Sequence, residues 1–346
     1  MNELHVFDVS PMIYVGDKGR QETFYGLRVG GVQYLLNYLA VAYLDRDSVV
    51  LCFDSPNFRK TVFTGYKAGR PKEPAIYYQI NAVYDELRSC GIRCEKYDGY
   101  EADDLVEWAV AQNVEQYIRG VSIYTDDNDI CHSIRNGVKL VAIRNGQNDI
   151  IPSNFEIAIK RGERIPYNTI SAMKVFCGCE SDKIPPIKIA AGYSGKQLYN
   201  AWCNVAAKLG SLSNRAIGAN PDVVRAFVNK AGFFTPEEIK DVEQRIKLIY
   251  PAKVPDGVTI TPTNLYKEMD KDKFIQMCRR YNAKQALQCL NVRYEKLSPE
   301  EIQKVRDAAH AVASGEYAAD RNLMHDTRSV KSSLVNLNSF TRSFTG

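Results

Sequence analysis

Apolar runs rich in β-branched residues recur through the first half of the chain, each followed by a polar turn and a stretch with helical spacing. The runs at 4–8 (LHVFD), 48–54 (SVVLCFD), 92–98 (IRCEKYD), 120–125 (GVSIYT) and 137–143 (GVKLVAI) predict strands. Their successive apolar positions suit strands covered on both faces. Helical periodicity lies between them near 27–42, 75–90 and 101–113. This alternation predicts an α/β domain over 1–150, with a mostly parallel sheet flanked by helices. From 166 onward the pattern is helical, at 166–178, 195–208, 221–231, 236–248, 272–289 and 298–314, with Pro and Gly turns between. A helical domain is therefore expected over 151–327. The Ser/Asn-rich segment 328–346 is expected to be a flexible tail, with Phe340 and Phe344 as anchors for a partner.

Composition adds little to this picture, since 45% hydrophobic and 25% charged residues are ordinary for a globular chain of 346 residues. The nine cysteines are scattered and odd in number, which excludes a disulfide framework and a zinc ribbon and fits a reducing, cytoplasmic setting. No stretch approaches the ~20 apolar residues of a membrane span. Charge is more informative by position than in its sum of +4. Residues 1–182 carry 20 Lys/Arg against 25 Asp/Glu, and residues 183–346 carry 25 against 16. An acidic half that needs cations is thus joined to a basic half that could hold a polyanion.

The acids fall where strands should end. Asp8 and Asp54 close predicted strands, and Asp127 and Asp129 follow a third. In a parallel sheet all strand C-termini share one edge, and open α/β folds place their sites beyond it. Glu101, Asp103 and Asp104 open a predicted helix, where the macrodipole favours anions, and Glu101 and Asp104 share a face. Read singly, each acid is an ordinary cap or turn former. Read together they demand cations, because two carboxylates about 4 Å apart repel by about 4 kcal/mol at an effective dielectric near 20. Oxygen ligands with few histidines select Mg²⁺ or Mn²⁺ over zinc. Such a centre suits phosphodiester hydrolysis.

A basic segment, SPNFRKTVFTGYKAGRPK at 55–72, begins directly after Asp54. It holds Arg59, Lys60, Lys67, Arg70 and Lys72 and no acid, with Phe58, Phe63 and Tyr66 interleaved. Cations grip phosphates and aromatic faces stack on bases, so the segment reads as an entry point for a single strand.

Five blocks in this order carry a resemblance: VFDVS at 6–10, FDSPNFRKTVFTGYKAGR at 53–70, GYEADD at 99–104, TDDNDI at 125–130 and GCESDKIPPI at 178–187. Together they cover about 180 residues and resemble the structure-specific 5′-nucleases: flap endonucleases, polymerase 5′-nuclease domains, and bacteriophage 5′→3′ exonucleases and RNase H. The resemblance implies a PIN-like sheet followed by a helix-hairpin-helix. It implies a first metal on Asp8, Asp54, Glu101 and Asp103, with Asp104 near or between two sites, and a second on Asp127, Asp129 and Asp182. Lys67 and Arg70 would contact the scissile phosphate, with Tyr66 beside them, and Asp103 would be indispensable to catalysis. The family's arch would lie around 60–80, with Tyr77 and Tyr78 as stacking candidates.

Two departures from the family pattern stand out. Cys179 occupies the first acidic position of the motif before the hairpin and Lys183 follows the second, so Glu180 is a candidate substitute ligand. The hairpin itself is degenerate, AAGYSGKQ at 190–197, although Lys183, Lys188 and Lys196 retain charge for backbone contacts. The expectation is a monomeric 5′→3′ exonuclease and flap-type endonuclease using two Mg²⁺ or Mn²⁺ ions on DNA with a 5′ flap, nick or free end, in the host cytoplasm if viral. RNA primers in RNA–DNA hybrids are a further expected substrate, and a clamp or single-strand-binding protein an expected partner of the tail. The rivals are a PIN-type ribonuclease and a nucleic-acid-binding protein with a decayed site.

Overall fold

The computed structural model describes residues 3–20, 22–56, 58–69, 73–143, 149–150, 156–158, 164–166, 169–189, 192–208 and 220–315. Arg70, Lys72 and the expected tail, with Phe340 and Phe344, lie outside these residues.

The strands are β1 (Leu4–Asp8), β2 (Thr23–Phe24), β3 (Leu27–Arg28), β4 (Ser48–Cys52), β5 (Cys94–Glu95), β6 (Val121–Thr125), β7 (Val138–Ala142), β8 (Asp149–Ile150), β9 (Glu156–Ala158), β10 (Arg164–Pro166) and β11 (Thr263–Asn264). The main sheet runs β11-β4-β1-β6-β7-β8, with β5 also on β4. Pairings among β5, β4, β1, β6 and β7 are parallel, and only β11 and β8 join antiparallel. The expected mostly parallel sheet is therefore the observed one. The strand at 92–98 shrinks to two paired residues, and β4 ends at Cys52 as the chain turns away toward Asp54.

Side-chain alternation along the strands builds two cores. Phe7, Val49 and Leu51 face one layer, and Leu4, Val6, Val50 and Cys52 face the other. The first layer holds α1 (Val9–Arg20), α2 (Gly30–Leu44) and α4 (Pro74–Ser89); the short α3 (Arg59–Val62) precedes α4. The second holds α5 (Ala102–Asn113), whose Leu105, Val106, Ala109 and Val110 are buried. Helix α1 has weak amphipathic periodicity and two glycines, and the sequence pattern leaves it unpredicted. Packing explains Gly16 of α1 and Gly31 of α2: a Cβ on Gly16 would come 2.4 Å from Tyr34 Cβ, and one on Gly31 2.4 Å from the Ile13 carbonyl oxygen. Close approach of α1 and α2 requires both.

The helical part comprises α6 (Ile170–Cys177), α7 (Gly195–Lys208), α8 (Pro221–Ala231) and α9 (Pro236–Ile249) around Phe176, Leu198, Trp202, Phe227 and Ile246. Helix starts follow the capping rules: Thr235 and Glu238 exchange hydrogen bonds at the start of α9. Helices α6 and α7 flank the expected hairpin, whose Gly195 lies where a Cβ would meet the Phe176 carbonyl oxygen at 2.5 Å.

Beyond α9 the chain does something the periodicity does not predict. Strand β11 pairs with β4, and α10 (Leu265–Glu268), α11 (Lys271–Arg280), α12 (Lys284–Cys289) and α13 (Pro299–Ser314) return to the α/β part. Their Leu265, Phe274, Met277, Leu287 and Val305 belong to the same core as α2. Helix α2 buries Val32, Leu35, Leu36, Leu39 and Ala40 on a wide face, more than α1 and the sheet cover. The Gln33 side-chain amide donates to the Tyr281 carbonyl at 3.0 Å and fixes the contact. The predicted helix at 272–289 breaks around Asn282, which has φ 54°. Among the described residues no helix is long and apolar enough to cross a membrane, and the cysteines whose side chains are described are free.

Candidate functional site

Strand β1 lies between β4 and β6, so successive connections leave it in opposite directions and open a crevice at its C-terminal end. Asp8, the last residue of β1, enters that crevice buried. Asp54 follows β4 by two residues, Asp127 follows β6 by two, and Asp103 sits in the first turn of α5. Small donors hold them. Thr125 Oγ1 donates to Asp8 at 2.9 Å and accepts from the Asp127 backbone N–H at 3.0 Å. Ser10 Oγ donates to Asp54 at 2.7 Å, and the Ala102 backbone N–H donates to its other oxygen at 3.0 Å. Neither Ser10 nor Thr125 is marked by the strand-end reading, which attends to charge. Their place beside Asp8 and Asp126 in the quoted motifs was the available signal.

Electrostatics ties the four acids together. Burial, followed by the charges of Asp103, Asp54 and Asp127, pushes the Asp8 carboxyl well above its ordinary range. Burial and then Asp127 do the same to Asp103, with Glu101 and Asp54 adding and Lys67 opposing. Among the described residues no ion pair joins Asp8, Asp54, Asp103 or Asp127 to a basic side chain. An all-oxygen donor set with this excess of negative charge fits a hard divalent cation.

The neighbouring acids are already neutralised. Asp104, fully buried, accepts from Arg59 Nη2 at 2.8 Å and Nη1 at 2.9 Å, from the Ala252 N–H at 2.7 Å and from the Glu101 N–H at 2.9 Å. These four bonds use its acceptor sites, which corrects its expected place near a metal. The same pairing corrects Arg59 as a nucleic-acid contact. Only 2% exposed, it also donates to the Leu248 and Tyr250 carbonyls, and the charges of Asp104 and Glu101 outweigh burial in holding its proton. Glu101 accepts from Tyr66 Oη at 2.9 Å and from Lys67 Nζ at 2.6 Å. Tyr66, 3% exposed, packs with Cys179, Ile184 and Leu248, so its ring offers no free face for stacking, and Phe63 lies partly buried against them. Tyr78 is likewise packed against the main core from α4. Lys67 remains partly accessible, in a left-handed backbone conformation at φ 51°.

A second group forms where α6, its following turn and the 3₁₀ turn Asn128–Ser133 meet. Ligand atoms of Asp129, Cys179 and Asp182 lie within 4.8 Å of one another. Cys179 Sγ donates to Asp182 Oδ2 at 3.3 Å and lies 3.1 Å from Ser181 Oγ. Lys174 Nζ pairs with Asp129 Oδ1. The Lys67 backbone N–H donates to the Asp182 carbonyl at 3.1 Å, which ties the basic segment to this turn. A thiol and an ammonium within the group fit a hard divalent ion less well than the first set. Glu180 is exposed in the turn and is not one of the three clustered residues. His132 Nδ1 lies against the Asp129 carbonyl, and burial lowers the imidazole pKa. Lys60, Lys183, Lys188 and Lys196 are exposed.

Residues 13–158 match the family model described as 5′-3′ exonuclease, N-terminal resolvase-like domain. The 5′-3′ exonuclease of Aquifex aeolicus is 28% identical over 169 residues, covering 48% of this chain and 54% of that protein. DNA polymerase I of Chloroflexus aurantiacus is 27% identical over 164 residues, covering 46% of this chain and 17% of that protein. The chain thus spans about half or less of these relatives' length. A solved T5 5′-exonuclease with bound zinc aligns over 90% of this chain and 100% of its own, at 13% identity and a TM-score of 0.48. The matched segment contains Asp54, Asp103 and Asp127 but not Asp8, and over it the chain is similar to 5′-3′ exonucleases and to part of DNA polymerase I.

Proposed function

We propose that the chain is a divalent-metal-dependent 5′-nuclease, a 5′→3′ exonuclease and flap-type endonuclease acting on branched or nicked duplex. One observation carries the reading: at the C-terminal sheet edge Asp8 is buried under the charges of Asp103, Asp54 and Asp127, and Asp103 lies among those of Asp127, Glu101 and Asp54, so burial and charge push both carboxyls up. The four aspartates are the proposed ligands, and Mg²⁺ or Mn²⁺ the proposed ion. A divalent ion bound there would supply hydroxide at neutral pH and neutralise charge on the attacked phosphate.

The protein's own groups have distinct tasks in this reading. Glu101 orients Lys67 through the 2.6 Å bond to Nζ. Lys67, 22% exposed at its side chain, exchanges Glu101 for a phosphate oxygen as charge develops there in the transition state and stabilises that charge. Arg70 is proposed as its partner. Arg59 and Asp104 fix α5, and with it Asp103, against the end of α9. The exposed Lys183, Lys188 and Lys196 follow the turn and hairpin between α6 and α7, where they would grip duplex phosphates without reading sequence. Lys60 and Lys72 would do so for the unpaired strand. RNA–DNA hybrid is a second proposed substrate, and the segment from 328 a proposed contact for a clamp or single-strand-binding protein.

The direct test is incubation of the purified chain with Mg²⁺ and a 5′-labelled flap, beside single-stranded RNA. Short labelled products from the flap are expected. No product in either Mg²⁺ or Mn²⁺ would overturn the reading, and cleavage of the RNA alone would point to a ribonuclease.

A further inference from the structure

The two acidic groups differ in the cation the fold brings to them. Asp8, Asp54, Asp103 and Asp127 have no ion-paired basic side chain among the described residues. At the second group a cation is built in. Lys174 projects from α6 and pairs with Asp129, and both side chains are largely enclosed, at 16% and 21% exposure. Beside them Cys179 and Asp182, each 6% exposed, are joined by the S–H···O bond. Lys174 thus supplies an ammonium to Asp129, and Cys179 a neutral hydrogen-bond donor to Asp182.

We propose that Lys174 is the resident counter-ion of Asp129, so that the free protein binds one divalent ion tightly and a second, between Asp129 and Asp182, only by displacing the Lys174 ammonium from Asp129. The inference rests on the nuclease reading, since the first ion is the one that reading requires. Two arguments support it. A divalent ion at Asp129 would stand within a few ångströms of the ammonium, and like charges at that range repel strongly where water is scarce. The thiol of Cys179 offers such an ion a soft donor in place of a hard oxygen, which weakens Mg²⁺ in particular. Lys174 also has room to retreat, because its side chain is not fully buried. Phosphates arriving with substrate would attract the ammonium away from Asp129, which couples occupancy of the second position to substrate.

The experiment is a Mn²⁺ titration of the full chain without nucleic acid, following free Mn²⁺ by electron paramagnetic resonance. One tight ion is expected for the unmodified protein, and Asp103→Asn should weaken it. Lys174→Met should bind two ions, the second at least about tenfold tighter than in the unmodified protein. Lys174→Gln serves the same purpose should the methionine variant not fold. Two equally tight ions in the unmodified protein, or no gain in either Lys174 variant, would overturn the proposal and leave the nuclease reading standing. Absence of any tight ion, with no effect of Asp103→Asn, would overturn both.

Discussion

Arg59 and Asp104 form a two-pronged ion pair, Nη2 to Oδ1 at 2.8 Å and Nη1 to Oδ2 at 2.9 Å, with both side chains almost wholly buried. The pair joins the basic segment to the first turn of α5, and Arg59 continues to the Leu248 and Tyr250 carbonyls at the end of α9. Removing one member strands the other's charge in a dry site. Asp104→Ala should therefore destabilise the fold by about 3–5 kcal/mol. Urea unfolding followed by circular dichroism checks this, and a loss below about 1 kcal/mol would mean the pair is solvated in solution.

Stability should also depend on pH and metal together. The Asp8 and Asp103 carboxyls sit well above the ordinary 3.8, through burial first and neighbouring carboxylates next. The native state then binds more protons than the unfolded chain above pH 3.8, so these groups destabilise the metal-free protein as pH rises through their raised pKa values. A divalent ion removes that penalty. The rise in Tm on adding Mg²⁺ should be larger at pH 8 than at pH 5, and equal rises would argue against ion binding by this group.

Asp103→Asn should lower cleavage by about a hundredfold or more while leaving affinity for flap DNA within about threefold. The carboxyl feels the charges of Asp127, Lys67, Glu101 and Asp54, and the amide removes charge from the proposed metal centre while leaving the exposed lysines proposed to grip phosphates in place. Parallel single-turnover and gel-shift measurements separate the two effects. Unchanged turnover would remove Asp103 from the reaction.

Lys67→Ala should reduce kcat more than it raises KM, because the ammonium is held on Glu101 until charge develops on the phosphate. Loss confined to KM would make it a docking cation. Lys67→Arg tests geometry, since the bond to Glu101 is short and the left-handed backbone at this residue fixes the approach.

Much of the α/β part was legible because both of its signals are local. Doubly apolar runs mark strands buried on two faces, and a parallel sheet must deliver their C-terminal acids to one edge. That rule puts Asp8, Asp54, Asp103 and Asp127 near the edge along with Glu101, Asp104 and Asp129, and only the structure shows that the charges of Asp103, Asp54 and Asp127 act on the buried Asp8. Helix α1 was illegible because its glycines weaken helical periodicity, and the purpose of Gly16 appears only against Tyr34 of α2.

Charge alone could place acids and bases near one another but not pair them. Arg59 and Asp104 stand 45 residues apart in the chain, and Arg59 and Tyr250 191 apart. Whether a lysine or arginine faces solvent, a phosphate or a buried carboxylate depends on which elements the fold packs over it. By itself the sequence determined the parallel strands and their acidic edge. Tertiary structure decided which of those acids remain short of positive charge, because burial by distant elements removes water and leaves each carboxylate dependent on the cations placed beside it: Arg59 for Asp104, Arg59 and Lys67 for Glu101 and Lys174 for Asp129.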